Sequence, residues 1–148
     1  MKPIEIEVRI DRPVAQVWTM FTDVELMPQW CKGFVSLETI EGEPETVGSK
    51  HRLLFQEGKR QIEMIETVTA FDPHERFAFE AATKGMSNTC EMRFSAEGDA
   101  TVIRSTNCFY AGSFLFKLMM PMMRGAISKR ITEDLERLKA LVESRATA

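Results

Sequence analysis

Between Ile4 and Ile10 apolar residues occupy every second position, with Glu5, Glu7 and Arg9 between them. That period of two predicts a strand buried on one face. After Asp11 the period changes: Val14, Val17, Trp18 and Phe21 share one helical face, with Asp11 as the expected cap. Pro13 falls near the first turn, where a missing N–H costs nothing. A second short helix is expected to start at Asp23 and to end near Trp30 and Gly33. Strand-like runs follow over residues 34–41, 50–56, 61–71, 76–82, 88–96 and 101–110. Turn residues separate them at Gly42 with Pro44, Gly58, Asp72-Pro73, Gly85 and Gly98-Asp99.

From Ser113 to Ser144 the spacing returns to three and four. Phe116, Met119, Met120, Met123, Ile127, Ile131, Leu135, Leu138, Leu141 and Val142 form one stripe of a long helix. Ser113 suits the N-cap, and Pro121, which clashes with the carbonyl of Lys117, predicts a kink. The other face carries the pairs Lys129/Glu133, Arg130/Asp134, Glu133/Arg137 and Lys139/Glu143, each worth about 0.2–0.5 kcal/mol. Six strands joined by tight turns predict an antiparallel meander, since parallel pairing needs longer crossovers. Its polar set (Glu63, Glu80, Arg93 and Arg104) is expected to face water, and its apolar set to face the long helix. The fold class is therefore α+β, in one domain over residues 1–148.

Several short motifs, in this order and spacing, resemble the START-like, helix-grip superfamily that includes polyketide cyclase/dehydrase-like proteins and lipid-transfer modules. They are Asp11-Arg12-Pro13-Val14-Ala15-Gln16-Val17-Trp18, the Asp23…Pro28-Gln29-Trp30 segment and Val47-Gly48-Ser49. Thr69-Ala70-Phe71-Asp72-Pro73 and Leu135-Glu136-Arg137-Leu138-Lys139 complete the set. The resemblance implies a strongly bent sheet of about seven strands wrapped around the C-terminal helix, with a ligand cavity between them. The stretch from Asp23 to Cys31 is also similar to ubiquinone-binding START proteins.

Composition narrows the function. A net charge of −3 offers no basic excess for nucleic acid or an anionic membrane. Cys31, Cys90 and Cys108 form no Cys-x-x-Cys pair, which fits reduced thiols in the cytoplasm. No stretch reaches the roughly 18 apolar residues of a membrane span. No catalytic triad, phosphate loop, paired carboxylates or metal set stands out, and no cofactor is expected. His74 reads as a solvated turn residue, and His51 has no carboxylate near it in sequence.

Ten Phe, ten Met and two Trp supply apolar bulk beyond an ordinary core. The apolar candidates for lining the cavity are Trp18, Trp30, Phe55, Phe79, Met92 and Phe109, with Met119, Met120 and Met123 of the kinked segment as a flexible gate. The same methionines also read as plain core or as a dimer contact. Polar candidates come from strand parity. A two-residue turn at Gly98-Asp99 sets Met92 opposite Ser105, Cys90 opposite Asn107 and Phe94 opposite Ile103, which points Ser105 and Asn107 inward with Cys90. Met64 and Ile65 break the alternation of their strand, so a bulge is expected there. Depending on where it falls, Glu66 is either a solvated carboxylate or a lone acid in an apolar pocket with a raised pKa. These features predict binding or transfer of a hydrophobic small molecule: a lipid, quinone or polyketide-like compound. A cyclase or dehydratase is the alternative, and a homodimeric interaction module the third reading.

Overall fold

The alternating segment at the start becomes strand β1 (Ile4–Ile10). In the computed structural model, which describes residues 2–147, it is followed by α1 (Val14–Phe21), a single 3-10 turn at Val24–Leu26 and α2 (Met27–Trp30). Then come β2 (Phe34–Glu41), β3 (Lys50–Glu57), β4 (Arg60–Asp72), β5 (Arg76–Thr83), β6 (Met86–Glu97) and β7 (Ala100–Ala111). The chain closes with α3 (Phe114–Glu143). The predicted elements are all present, with boundaries displaced by a residue or two.

The seven strands form one antiparallel sheet in the order β1-β7-β6-β5-β4-β3-β2. The meander from β2 to β7 is continuous, and β1 returns to pair with β7, Val8 facing Ile103. Both sheet edges, β1 and β2, are thus left unpaired on one side. The fold is the helix-grip arrangement expected. Glu63, Glu80, Arg93 and Arg104 are exposed, as alternation predicts.

Packing concentrates at one end of the concave face. Ile10, Val17, Trp18, Phe94, Ile103, Leu135, Leu138 and Val142 belong to one buried cluster. The rings of Trp18 and Phe94 meet edge-on with centroids 4.9 Å apart, and those of Trp18 and Phe71 at 5.4 Å. Helix α3 packs chiefly on β1, α2, α1 and β7; β3, β4 and β5 are not among its main contacts.

Three local expectations are corrected. Asp11 lies too early to cap α1, whose N-cap is Pro13 without a side-chain bond. Its backbone N–H donates instead to Glu143 Oε2 at 2.8 Å, tying the end of β1 to α3. Helix α3 contains Pro121 within its span, and Ser113 caps it as expected by accepting from the Phe116 N–H. Of the four ladder pairs, Lys129–Glu133 (3.9 Å) and Lys139–Glu143 (3.1 Å) form. Arg137 pairs with Asp134 one turn back, and Arg130 with Glu57 of β3.

Those two arginines belong to a set that fastens α3 across the sheet. On the β1 side the Arg124 guanidinium donates to the carbonyls of Lys2 and Pro3, and Lys139 Nζ to the carbonyl of Arg9. On the other side Arg130 donates to the Lys32 carbonyl at 2.6 Å and Arg137 to the Trp30 carbonyl at 3.1 Å. Gly33, next to Lys32, has φ +80° and bonds to β3, its carbonyl accepting from the Gln56 N–H at 2.7 Å. A Cβ at Gly33 would sit 2.7 Å from the Gln56 carbonyl oxygen, in a strand which that bond holds in place. Gly33→Ala is therefore expected to cost at least about 1–2 kcal/mol for the left-handed backbone alone. A thermal melt within error of wild type would contradict this.

Candidate functional site

The two-residue turn after Glu97 fixes the β6–β7 register as parity predicts: Phe94 faces Ile103, Met92 faces Ser105 and Cys90 faces Asn107. Directly opposed residues share a face, so the inward set carries Ser105 and Asn107 into the buried interior. The Asn107 amide donates to Ser105 Oγ at 2.9 Å and to the Ile4 carbonyl at 3.3 Å. Because that carbonyl can only accept, the orientation of the amide is fixed. Its oxygen accepts from no donor among the described residues. Cys90 Sγ lies 4.0 Å from Ser105 Oγ, and burial pushes its thiol up to about 12. Cys108 pairs with Thr89, one step out of phase with Cys90, and all three cysteines are free thiols.

The bulge in β4 falls between Val68 and Ala70, not at Met64-Ile65. Alternation therefore runs undisturbed from Ile62 through Met64 to Val68, and Glu66 is carried to the concave face at 8 % exposure. Of the two readings of Glu66, the structure selects the lone acid. Loss of hydration raises its pKa to about 7. No donor among the described residues reaches its carboxyl group.

His51 is the direct cross-strand partner of Glu66. It is buried, and desolvation lowers its pKa. Ser49 Oγ spends its one proton on the Thr46 carbonyl at 2.7 Å, so it must accept from His51 Nε2 at 3.3 Å. Nδ1 lies 3.1 Å from Thr39 Oγ1. In the neutral imidazole that desolvation favours, the proton sits on Nε2, Nδ1 accepts from Thr39 and both nitrogens are occupied. Glu66 is the free acid–base group of the pair; His51 is held in place beside it. Sequence reasoning missed Thr39 and Ser49. Ser49 was within reach, because it stands two residues before His51 and so shares its face.

The remaining candidates divide. Trp18, Trp30 and Met92 are packed in the core beneath α1 and α2, the Trp30 indole N–H without a partner among the described residues. Phe55 is half-buried against Phe34, and Phe79 against Phe77. Phe109 is the next inward residue of β7 after Asn107. Together with Met120 it lines a groove of about 660 Å³ between β7 and α3, which Lys2, Tyr110, Ala111, Lys117, Pro121 and Arg124 complete. Of the methionine segment, Met120 is buried, Met123 half-buried and Met119 43 % exposed on the outer side.

The lining of the groove ends at Phe109, and Asn107 and Ser105 follow it inward along β7. Across the concave face those residues continue through Cys90 toward Glu66 and His51, with Phe55, Ile62, Met64 and Phe79 around them. Residues 1–143 match the family described as polyketide cyclase/dehydrase and lipid transport. The chain belongs to this family. Among solved structures, it is similar to a protein of Thermus thermophilus at 18% identity and TM-score 0.77, covering 96% of this chain and 97% of that one. A conserved protein of Geobacillus kaustophilus aligns at 14% identity and TM-score 0.78, over 96% and 95% of the two chains. The Zhui aromatase/cyclase of Streptomyces sp. R1128 aligns at 15% identity and TM-score 0.75, over 98% and 96%. At these identities the likeness is one of fold. Comparison with curated proteins gives no match. Among the described residues, no helix is long and apolar enough to cross a membrane.

Proposed function

We propose that this member of the family binds a hydrophobic small molecule carrying at least one hydrogen-bonding group, a lipid, quinone or polyketide-like compound. The ligand lies between the concave face of β3–β7 and α3. The observation that carries the reading is Glu66: a carboxyl group without a protein donor, on a strand face whose neighbours Met64 and Val68 are apolar. Leaving a buried polar group unpaired costs about 1–3 kcal/mol, so a site that keeps one is suited to a ligand able to pair with it. The free amide oxygen of Asn107 supplies a second anchor. Apolar walls with a few placed polar groups are the usual make-up of small-molecule sites.

The near-neutral pKa of Glu66 favours a second reading, a cyclase or dehydratase in which this one residue moves protons while the walls hold a folded chain. Probe displacement separates the possibilities. Ser105→Trp fills the interior beside Asn107 and is expected to abolish binding of a hydrophobic fluorescent probe. Asn107→Leu is expected to weaken it only about three- to tenfold, the loss of one hydrogen bond. A carrier loses a similar factor on Glu66→Gln, whereas an enzyme loses about 10²–10⁴-fold in turnover with binding nearly intact. Undiminished probe binding by well-folded Ser105→Trp would refute both readings.

A further inference from the structure

The first three turns of α3 are apolar on both sides. Phe116, Met120, Met123 and Ile127 recur on the side toward the sheet, and Phe114, Leu118 and Met122 on the opposite side, flanked by Leu115. A helix that is apolar all round belongs in a core or against lipid, yet here only one side is covered. Phe114 is 76% exposed, Leu115 63%, Leu118 61% and Met122 84%. Protein surfaces rarely leave so many large apolar side chains together without a use.

The charge around them is one-sided. From Tyr110 to Thr132 the sequence has four basic residues, Lys117, Arg124, Lys129 and Arg130, and no acidic one, in a chain of net charge −3. Lys129 and Arg130 are neutralised by Glu133 and Glu57. Lys117 pairs with no acid among the described residues, and Arg124 bonds only to carbonyls, so both charges remain uncompensated. The low net charge of the whole chain conceals this local cationic field.

We infer that the outer face of Phe114–Met122, with Lys117 and Arg124, docks on an anionic lipid surface. The apolar side chains enter the headgroup–acyl boundary while the cations meet the phosphates, as in interfacial helices. A second copy of this chain fits less well, because a two-fold contact through this face would set Lys117 and Arg124 against their own counterparts with no acid from the segment between them. The docking surface borders the groove between β7 and α3, since Lys117 and Arg124 line both. It stands on its own observations, independent of what the concave face binds.

The test is co-sedimentation of the full-length protein with vesicles of phosphatidylcholine alone or mixed with phosphatidylglycerol. The protein is expected to sediment with the mixed vesicles and not with the neutral ones. Leu118→Glu combined with Met122→Glu is expected to reduce binding by at least about tenfold. Both sites are exposed, so the melt should be unchanged. Lys117→Gln should reduce binding by about fivefold, with the remainder salt-sensitive. Ser105→Trp should sediment like wild type, which separates failure of the docking face from failure of the ligand site. No sedimentation with mixed vesicles overturns the inference, as does binding unaffected by the double Glu variant. Self-association abolished by that variant in the absence of vesicle binding would assign the face to a second copy instead.

Discussion

Leu138→Ala is expected to lower stability by about 2–5 kcal/mol, and Leu118→Ala on the same helix by less than about 0.5 kcal/mol. Leu138 is 0% exposed and belongs to the cluster with Val8, Ile10, Trp18 and Ile103, whereas Leu118 is 61% exposed. Truncating the former removes three buried carbons and leaves a cavity where β1, α1 and α3 converge. Truncating the latter removes surface that water already reaches. At about 2–4 °C per kcal/mol, the first change lowers the melting temperature by on the order of 10 °C. Urea titration of both variants checks the contrast. Equal shifts would mean that the two halves of α3 are equally committed to the core, which would also remove the basis for an unoccupied outer face.

The second large effect is a change in how stability depends on pH. The folded state holds the Glu66 proton to about pH 7, above the ordinary value of 4.5. Between those values the unfolded chain has already released the proton, so stability falls as pH rises, and above about 7 the folded state carries a buried charge at full cost. A shift of this size corresponds to roughly 3 kcal/mol as an upper bound. Glu66→Gln removes the ionisation while keeping the shape. The variant is expected to match wild type near pH 5 and to exceed it by up to about 3 kcal/mol near pH 8.5. Denaturant titrations at the two pH values measure this directly. Parallel profiles for the two proteins would show that Glu66 is hydrated and ionises normally, and would withdraw the observation on which the ligand site rests.

Local periodicity made the elements legible, and the β6–β7 hairpin shows how far it reaches. There a two-residue turn converts sequence into register, so Ser105, Asn107 and Cys90 were placed on the correct face from spacing alone. The β3–β4 hairpin carries the same signal. Its turn at Gly58-Lys59, with Glu57 opposite Arg60, sets His51 opposite Glu66. Proximity along the chain hid that partner: His51 has no carboxylate near it in sequence, but has one directly across the hairpin. The bulge was misplaced for a different reason. Two consecutive apolar residues, Met64 and Ile65, resemble a break in alternation, but each is only half-buried and the outer one, Ile65, simply covers part of the convex face. The true bulge at Val68–Ala70 involves small and β-branched residues that give no such signal. The partners of Arg130 and Arg137 were not legible at all. An i, i+4 rule sees only the helix, and apart from Asp134, one turn back from Arg137, their acceptors lie on α2, the loop before β2 and the end of β3.

The acceptors for the basic side chains of α3 are mostly main-chain carbonyls: Lys2, Pro3, Arg9, Trp30 and Lys32 each present one. A carbonyl is supplied by whatever amino acid occupies the position, so mutation at the accepting sites leaves the fastening unchanged. For these bonds the information is written on the helix; the Arg130–Glu57 pair alone needs a given side chain on the sheet. Drift can therefore rewrite the edge residues one at a time while Arg124, Arg130, Arg137 and Lys139 keep their hold.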